Sequence, residues 1–329
     1  MRGMEKQPAS EAYRQTVSDI RPNVRFDGWL LVKEATPRTT ANGKKFLDLA
    51  LVDRTGSIPA KWWDFAGTPP APGAVVRVKG LGNEYNGHLQ LRVDALAEAK
   101  PEDGLSPKDF MPAAPETPES MLREITGTAS SLRDPSLRAI VTFLLDEANA
   151  GGRLLTAPAA KSMHHAELGG LLHHTVMMLR AAKALAEVYR FLDKDLLYAG
   201  VIAHDLGKLD EMSTSPLGLV DGYTTDGRLI GHIVRGVVNV ERAAAATDAS
   251  RERATLLQHL ILSHHGDAEF GSPVPPKCPE AEALSMIDRL DAKLFQMHAA
   301  LQGVKPGEFS APVWGLDKAE IYRPSNPEA

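Results

Sequence analysis

The chain has 329 residues, 43% hydrophobic and 24% charged. That is a globular balance with length for two domains at roughly 100 to 200 residues each, which excludes a small stapled module and a disordered or fibrous chain. A lone cysteine, Cys278, excludes an intramolecular disulfide and a cysteine-based zinc cluster, and the absence of an apolar signal core or of a run near the roughly 18 residues of a membrane span leads us to expect a cytoplasmic protein with no membrane partner. The net charge of −5 conceals a division: residues 22–98 carry 10 Lys and Arg against 8 Asp and Glu, and the remainder 27 against 34, so the front segment is the basic one.

From Val24 to Ala97 short runs of period two alternate with turn residues, as in a small antiparallel barrel. Leu47, Leu49 and Leu51 share one face, Asp53 to Gly56 forms a turn, and Ile58 to Trp63 resumes the strand. Val75 to Lys79 and His88 to Val93 follow, with a turn at Tyr85-Asn86-Gly87 between them. Five strands in about 75 residues is the size of an OB-fold, whose strand 2 and 3 face commonly binds single-stranded nucleic acid. On the face opposite the leucines, Phe46, Lys61 and Trp63 combine aromatics with a cation, the composition that stacks bases and pairs phosphates. Tyr85, Arg77, Lys79 and Arg92 are lesser candidates; the competing fate for both tryptophans is the core.

Residues 99–120 carry five prolines and no period, which predicts a linker. Beyond it, 3.6-residue periodicity predicts an all-α domain over 121–302, with helices near 119–130, 134–148, 165–190, 194–206, 229–246, 250–264 and 279–301. Ser213 to Asp226 is turn-rich and is expected to form a loop or small hairpin. In the proline-broken tail, 303–329, Trp314 is expected to pack onto the bundle.

Nine of the 11 histidines lie between His164 and His265, where an even spread would place about three. His174, His204, Asp205, His232, His264, His265 and Asp288 fall on separate helices or helix ends, apart from adjacent pairs, so a bundle can aim them at one interior point. Leu197, Val201, His204 and Lys208 follow spacings of four, three and four, which places His204 on a buried stripe. A single buried histidine is most often a hydrogen-bonded core residue. Two adjacent pairs, His204-Asp205 and His264-His265, are harder to bury, because helix neighbours point about 100° apart; a shared charged cavity relieves the problem. Imidazole with carboxylate suits Mn, Fe, Co or Zn better than Mg.

The order His, His-Asp, His, His-His, Asp resembles the HD-domain metal-dependent phosphohydrolases. The words Lys161-Ser-Met-His-His-Ala166, Gly169-Gly-Leu-Leu-His-His-Thr175, His204-Asp-Leu-Gly-Lys208, Gly231-His-Ile233, Ser263-His-His-Gly266 and Ile287-Asp-Arg-Leu-Asp-Ala-Lys293 are similar to those of the YhaM family, 3′–5′ exoribonucleases that join an OB-fold to an HD domain. The resemblance spans roughly residues 24 to 302. It implies one metal held by His174, His204, Asp205 and Asp288, a second held by His232, His264 and His265, and Asp205 bridging, since a carboxylate has two oxygens. Which of His264 and His265 binds more directly stays open, as does a one-metal site.

Two ions about 3.5 to 4 Å apart activate water and neutralise phosphate charge, with no protein nucleophile required. Lys208 either reaches a non-bridging phosphate oxygen or is a solvated lysine at a helix end. Lys161, His164, His165 and Arg235 are weaker candidates for the phosphate or terminal nucleotide, whereas His173, His259 and His298 are assigned to structure or surface. The resulting expectation is a 3′–5′ exonuclease with two divalent ions, Mn²⁺ first and Co²⁺, Fe²⁺ or Zn²⁺ as alternatives, acting on single-stranded RNA or DNA and releasing nucleoside 5′-monophosphates; polarity and product come from the resemblance. The alternatives are a phosphohydrolase of small or cyclic nucleotides with a regulatory OB-fold, and a non-catalytic nucleic-acid binder. The resemblance and the Ala-rich Val240 to Ala246 are compatible with a homo-oligomer.

Overall fold

Alternation in the front segment produces five strands: β1 (Arg25–Thr39), β2 (Lys45–Asp53), β3 (Gly56–Trp63), β4 (Val75–Tyr85) and β5 (His88–Glu98). In this computed structural model, which describes residues 15–40, 42–85, 87–105, 109–110, 116–159, 169–214 and 220–325, they close into a barrel in the order β1-β2-β3-β5-β4, an OB-fold. Closure runs through the parallel pairing of β3 with β5, Ala60 opposite Leu91. Leu47, Leu49 and Leu51 all point inward with Leu30, Ile58, Ala60, Val78 and Leu91, and Trp62 packs partly buried against this core. Asp53 fixes the β2–β3 turn by accepting from the Thr55 N–H at 2.7 Å and the Val17 N–H at 2.7 Å. The β4–β5 turn ends at Gly87, whose φ of 77° is left-handed and suits glycine.

The predicted linker is not uniformly free of the barrel. Phe110 is only 2% exposed and packs on Leu31 and Val75, because one large apolar side chain outweighs the surrounding prolines in deciding where the segment lies. Of the described residues, 15–110 with 214 and 220–221 form one compact unit and 116–213 with 222–325 the other.

The second unit is helical: α1 (Pro118–Ser131), α2 (Pro135–Ala148), α3 (Arg153–Thr156), α4 (Gly170–Val188), α5 (Lys194–Ala203), α6 (Lys208–Glu211), α7 (Thr225–Leu229), α8 (Gly231–Thr247), α9 (Arg251–Ser263) and α10 (Pro279–Ala300). A hairpin of β6 (Met212–Thr214) and β7 (Val220–Tyr223) occupies the turn-rich stretch, as expected. Three helices differ from the sequence expectation. The 165–190 helix is seen as α4, its first residues lying outside the described ones. The 194–206 helix stops at Ala203, and residues 204–207 turn into α6. The 229–246 helix breaks at Gly231, whose φ of 76° no helix interior accepts.

Thr117, Asp134 and Asp193 cap α1, α2 and α5 through the backbone N–H groups of Ser120, Ser136 and Leu196. Arg253 of α9 binds two of those caps together, donating to Asp134 at 2.6 Å and to Asp193 at 2.8 Å. Buried Glu280 of α10 accepts from the Asp193 N–H at 2.8 Å. The starts of α2, α5, α9 and α10 are thereby gathered at one end, and the ends of α5 and α9 carry His204 and His264. Leu137, Ile140, Val141, Leu197, Val201, Leu257, Leu260 and Leu284 fill the space between. Only part of the Ala-rich run belongs to this core: Val240 and Ala243 are fully buried, whereas Ala245 and Ala246 are exposed.

The tail folds back as a ribbon with bridges Phe309 to Tyr322 and Val313 to Ala319. Trp314 does not pack it down. It is 80% exposed beneath the Lys318 ammonium, and the smaller Leu316 is the buried residue. Among the described residues no helix is long and apolar enough to cross a membrane. Because Phe110 is buried, Phe110→Ala should destabilise the barrel by about 3 kcal/mol, lowering its thermal midpoint by more than about 10 °C. A midpoint unchanged in a calorimetric scan would mean that the segment is not part of the barrel's core.

Candidate functional site

At the turn after α5 the backbone delivers His204 and Asp205 into the bundle interior. His204 is fully buried, and its Nδ1–H donates to the Val201 carbonyl at 2.8 Å, which turns Nε2 inward with its lone pair available. His264 repeats this at the end of α9, with Nδ1 2.7 Å from the Ile261 carbonyl. His174 enters from α4 and Asp288 from α10, 3.2 Å apart between Nε2 and Oδ1. His232 comes from the first turn of α8, and His265 follows His264 with its ring centroid 5.4 Å from that of His232. All seven predicted residues therefore converge. Their ligand atoms group as His174, His204 and Asp205, and as His232, His264 and His265, each set within 4.8 Å.

Asp205 stands between the two sets and turns one oxygen to each. Its Oδ2 is 3.7 Å from His174 Nε2 and 3.4 Å from His204 Nε2. Its Oδ1 is 3.7 Å from His232 Nε2 and 3.9 Å from His264 Nε2. Among the described residues, that Oδ1 and both of those Nε2 atoms are buried without a hydrogen-bond partner. Orphaned acceptors in a dry interior cost free energy, and a shared cation satisfies them together. The donor set fits divalent metal, with inner His264 presenting Nε2 directly to Asp205.

The electrostatics follow from burial set against neighbouring charge. Burial opposes protonation of His174, but hydrogen bonds with Asp288 and Asp291 outweigh it and lift the imidazole to about 9. Burial beside the His204 and His265 rings pushes His264 down to about 3. Asp205 stays well below the usual carboxylate range, because Lys208 and His204 offset the burial that would raise it. Asp288 is likewise held low by His174 against burial. Lys208 Nζ is 2.8 Å from Asp205 Oδ2 with a largely buried side chain, so it is no solvated helix-end lysine: Gly207 and Lys208 open α6 instead of closing a long α5. A Cβ on Gly207 would lie 2.3 Å from the His232 carbonyl oxygen, which makes that glycine the condition for α6 and α8 to approach.

Two supporting carboxylates escaped the sequence reading. Asp291 Oδ2 is 2.6 Å from His174 Nδ1, and Glu211 Oε2 is 3.0 Å from His232 Nδ1. The available signal was spacing: Asp291 follows Asp288 by three on a helix, and Glu211 follows Lys208 by three. Of the weaker candidates, Arg235 is held by Asp226, and Lys161, His164 and His165 lie outside the described residues. His259 accepts from the Lys277 N–H at 2.8 Å and His298 meets Gln302, in keeping with structural duty; His173 lies edge-on to Phe295.

On the barrel, Phe46 pairs in register with Trp63, and Asp48 with Lys61. The Phe46 and Trp63 rings are 4.9 Å apart, and Lys61 Nζ sits 5.3 Å from the Phe46 ring and 5.6 Å from the Tyr85 ring. Trp63 is 39% exposed, so it is not core, while Phe46 is buried beneath it. Arg92 neighbours Lys61 across the β3–β5 pairing. Arg77 stands apart, held by Asp27 at 2.8 Å together with Lys79 at 3.5 Å.

The HD domain family model matches residues 171–293, a domain of divalent-metal phosphohydrolases. Among curated proteins, the chain is 42% identical over 303 residues to 3′-5′ exoribonuclease YhaM of Shouchella clausii, covering 91% of this chain and 93% of that one. It is 41% identical over 304 residues to 3′-5′ exoribonuclease YhaM of Bacillus subtilis, covering 92% and 95%. Among solved structures, the second OB-fold domain of replication protein A from Methanococcus maripaludis is 23% identical over 27% of this chain and 96% of that one, with a TM-score of 0.23. With two-fifths of its residues shared over nine-tenths of both lengths, and with the HD motif set intact at its site, this chain belongs to the YhaM family.

Proposed function

We propose that this chain is a metal-dependent 3′–5′ exoribonuclease that removes nucleoside 5′-monophosphates from single-stranded RNA. The observation that carries the reading is Asp205, whose two oxygens face two separate groups of buried ligand nitrogens. His174, His204 and Asp288 would complete one ion's shell, and His232, His264 and His265 the other's. Divalent cations held there would supply Lewis-acid charge at the scissile phosphate and would acidify water for in-line attack. The imidazole-rich donor set favours Mn²⁺ over Mg²⁺. Lys208, held against Asp205 and kept protonated by that carboxylate, would donate to a non-bridging phosphate oxygen. Trp63 and Lys61, backed by the buried Phe46 ring, would supply an aromatic and cationic surface for the single strand, so Phe46 supports the exposed ring and does not itself meet a base. The relatives' name supports the direction and the substrate. The lone cysteine fits a reducing compartment, and with RNA as substrate we place the chain in the cytoplasm.

Incubation of 5′-labelled single-stranded RNA with Mn²⁺ should give a ladder shortening from the 3′ end, abolished by EDTA and by Asp205→Ala. No shortening with Mn²⁺, Co²⁺, Fe²⁺ or Mg²⁺, while a small cyclic nucleotide is cleaved, would sink the exonuclease reading; a parallel single-stranded DNA arm reads sugar selectivity. Trp63→Ala should weaken binding of the RNA to the EDTA-treated protein by about 5- to 150-fold, the equivalent of about 1 to 3 kcal/mol for one stacked base, without moving the barrel's melting temperature. Metal affinity should depend on pH, because an ion must displace the His174 proton. His174 sits at about 9, above its ordinary value, so its charged form stabilises the metal-free protein below about pH 6.5 and this contribution is lost as pH rises through about 9. Calorimetric Mn²⁺ titrations should therefore tighten by up to about tenfold per pH unit between 6.5 and 8.5, with proton release; a flat profile would refute the assignment.

A further inference from the structure

The two groups of ligands are not equivalent. His174, His204, Asp205 and Asp288 include two carboxylates, whereas His232, His264 and His265 are three imidazoles that share one oxygen of Asp205. An ion held by three imidazoles and one shared carboxylate gains less from charge, so the groups behind those imidazoles matter more. His204 and His264 lean on backbone carbonyls. His232 instead leans on Glu211, with Nδ1 3.0 Å from Oε2 and the His232 backbone N–H 3.4 Å from Oε1.

The local fold fixes the backbone that carries this side chain. Thr224 N–H donates to the Glu211 carbonyl at 3.0 Å, and its hydroxyl donates to the Asp210 carbonyl at 2.7 Å, which locks the start of α7 against the end of α6. A Cβ on Gly227 would fall 2.1 Å from the Glu211 carbonyl oxygen, so only glycine allows this approach. Gly231, in its left-handed conformation, then swings the first turn of α8 so that both donors of His232 face the Glu211 carboxylate. His232 Nε2 is left buried, without a hydrogen-bond partner among the described residues, 3.7 Å from Asp205 Oδ1.

We propose that Glu211 is the positioning residue of the second ion: by holding Nδ1 of His232 it fixes the ring with Nε2 toward Asp205 and lends negative charge to a site of imidazoles. Asp291 does the same for His174 and the first ion. Occupancy of the two ions is then set by two separate outer carboxylates, one on α6 and one on α10. This rests on the two-ion reading above.

The test is metal binding, read without turnover. The full-length wild type, Glu211→Gln, Glu211→Ala and Asp291→Asn are stripped with chelator, checked for folding by circular dichroism, and titrated with Mn²⁺ by calorimetry, with bound metal counted by elemental analysis. Wild type should bind two ions. Glu211→Ala should weaken one of them by about 10- to 100-fold and leave the other unchanged, and Glu211→Gln, which keeps an acceptor for Nδ1–H but no charge, should fall between. Asp291→Asn should weaken the other ion. Two ions in wild type and an unchanged or equally weakened pair in both Glu211 variants would overturn the proposal while sparing the two-ion reading. A single ion in wild type would overturn both. If Glu211→Ala does not fold, Glu211→Gln against Asp291→Asn decides the matter by which ion each one loses.

Discussion

Buried lone pairs that face one another are the constraint on which the catalytic unit depends. Among the described residues, His232 Nε2, His264 Nε2 and Asp205 Oδ1 are buried with no hydrogen-bond partner, a cost that a shared cation would offset. On the other oxygen of Asp205 the Lys208 ammonium lies 2.8 Å from Oδ2, and His174 lies between Asp288 and Asp291. An acidic chain can thus act on phosphate, since the positive charge sits where the scissile bond lies and need not be spread over the surface.

Around that pocket the helices are organised by their ends. Arg253 and Glu280 tie the starts of α2, α5, α9 and α10 to the caps Asp134 and Asp193. With those ends fixed, the apolar packing along α5 and α9 carries His204 and His264 to the same depth at the other end. The adjacent residues Asp205 and His265 fall in the turns that follow, where the chain leaves helical geometry and both members of each pair can face the cavity. The difficulty of burying neighbours on one helix is therefore solved by placing each pair at a helix terminus.

The barrel solves a different problem. Its interior takes every second residue of β2 and β3, and the opposite alternation leaves Trp63 half out over buried Phe46 with Lys61 beside them. The buried partner fixes the exposed ring, which lowers the entropy that would be lost on stacking a base. Arg77 and Lys79, basic residues of equal promise in composition, share the single carboxylate of Asp27 on another part of the barrel.

Period-two alternation determined the barrel and the inward face of Leu47, Leu49 and Leu51, because a strand's two faces are fixed by local geometry alone. The order of histidines and aspartates likewise determined the seven residues of the pocket, since their chemistry tolerates few other fates when buried together. Tertiary structure alone decided the rest. The break at Gly231, the turn after Ala203, the burial of Phe110 and the exposure of Trp314 each depend on what lies across from the residue, and local propensity carries no record of it. The same holds for Glu211 and Asp291: a carboxylate behind an imidazole is indistinguishable in sequence from a solvated one, and only the approach of α6 to α8 and of α10 to α4 makes either a partner of a metal ligand.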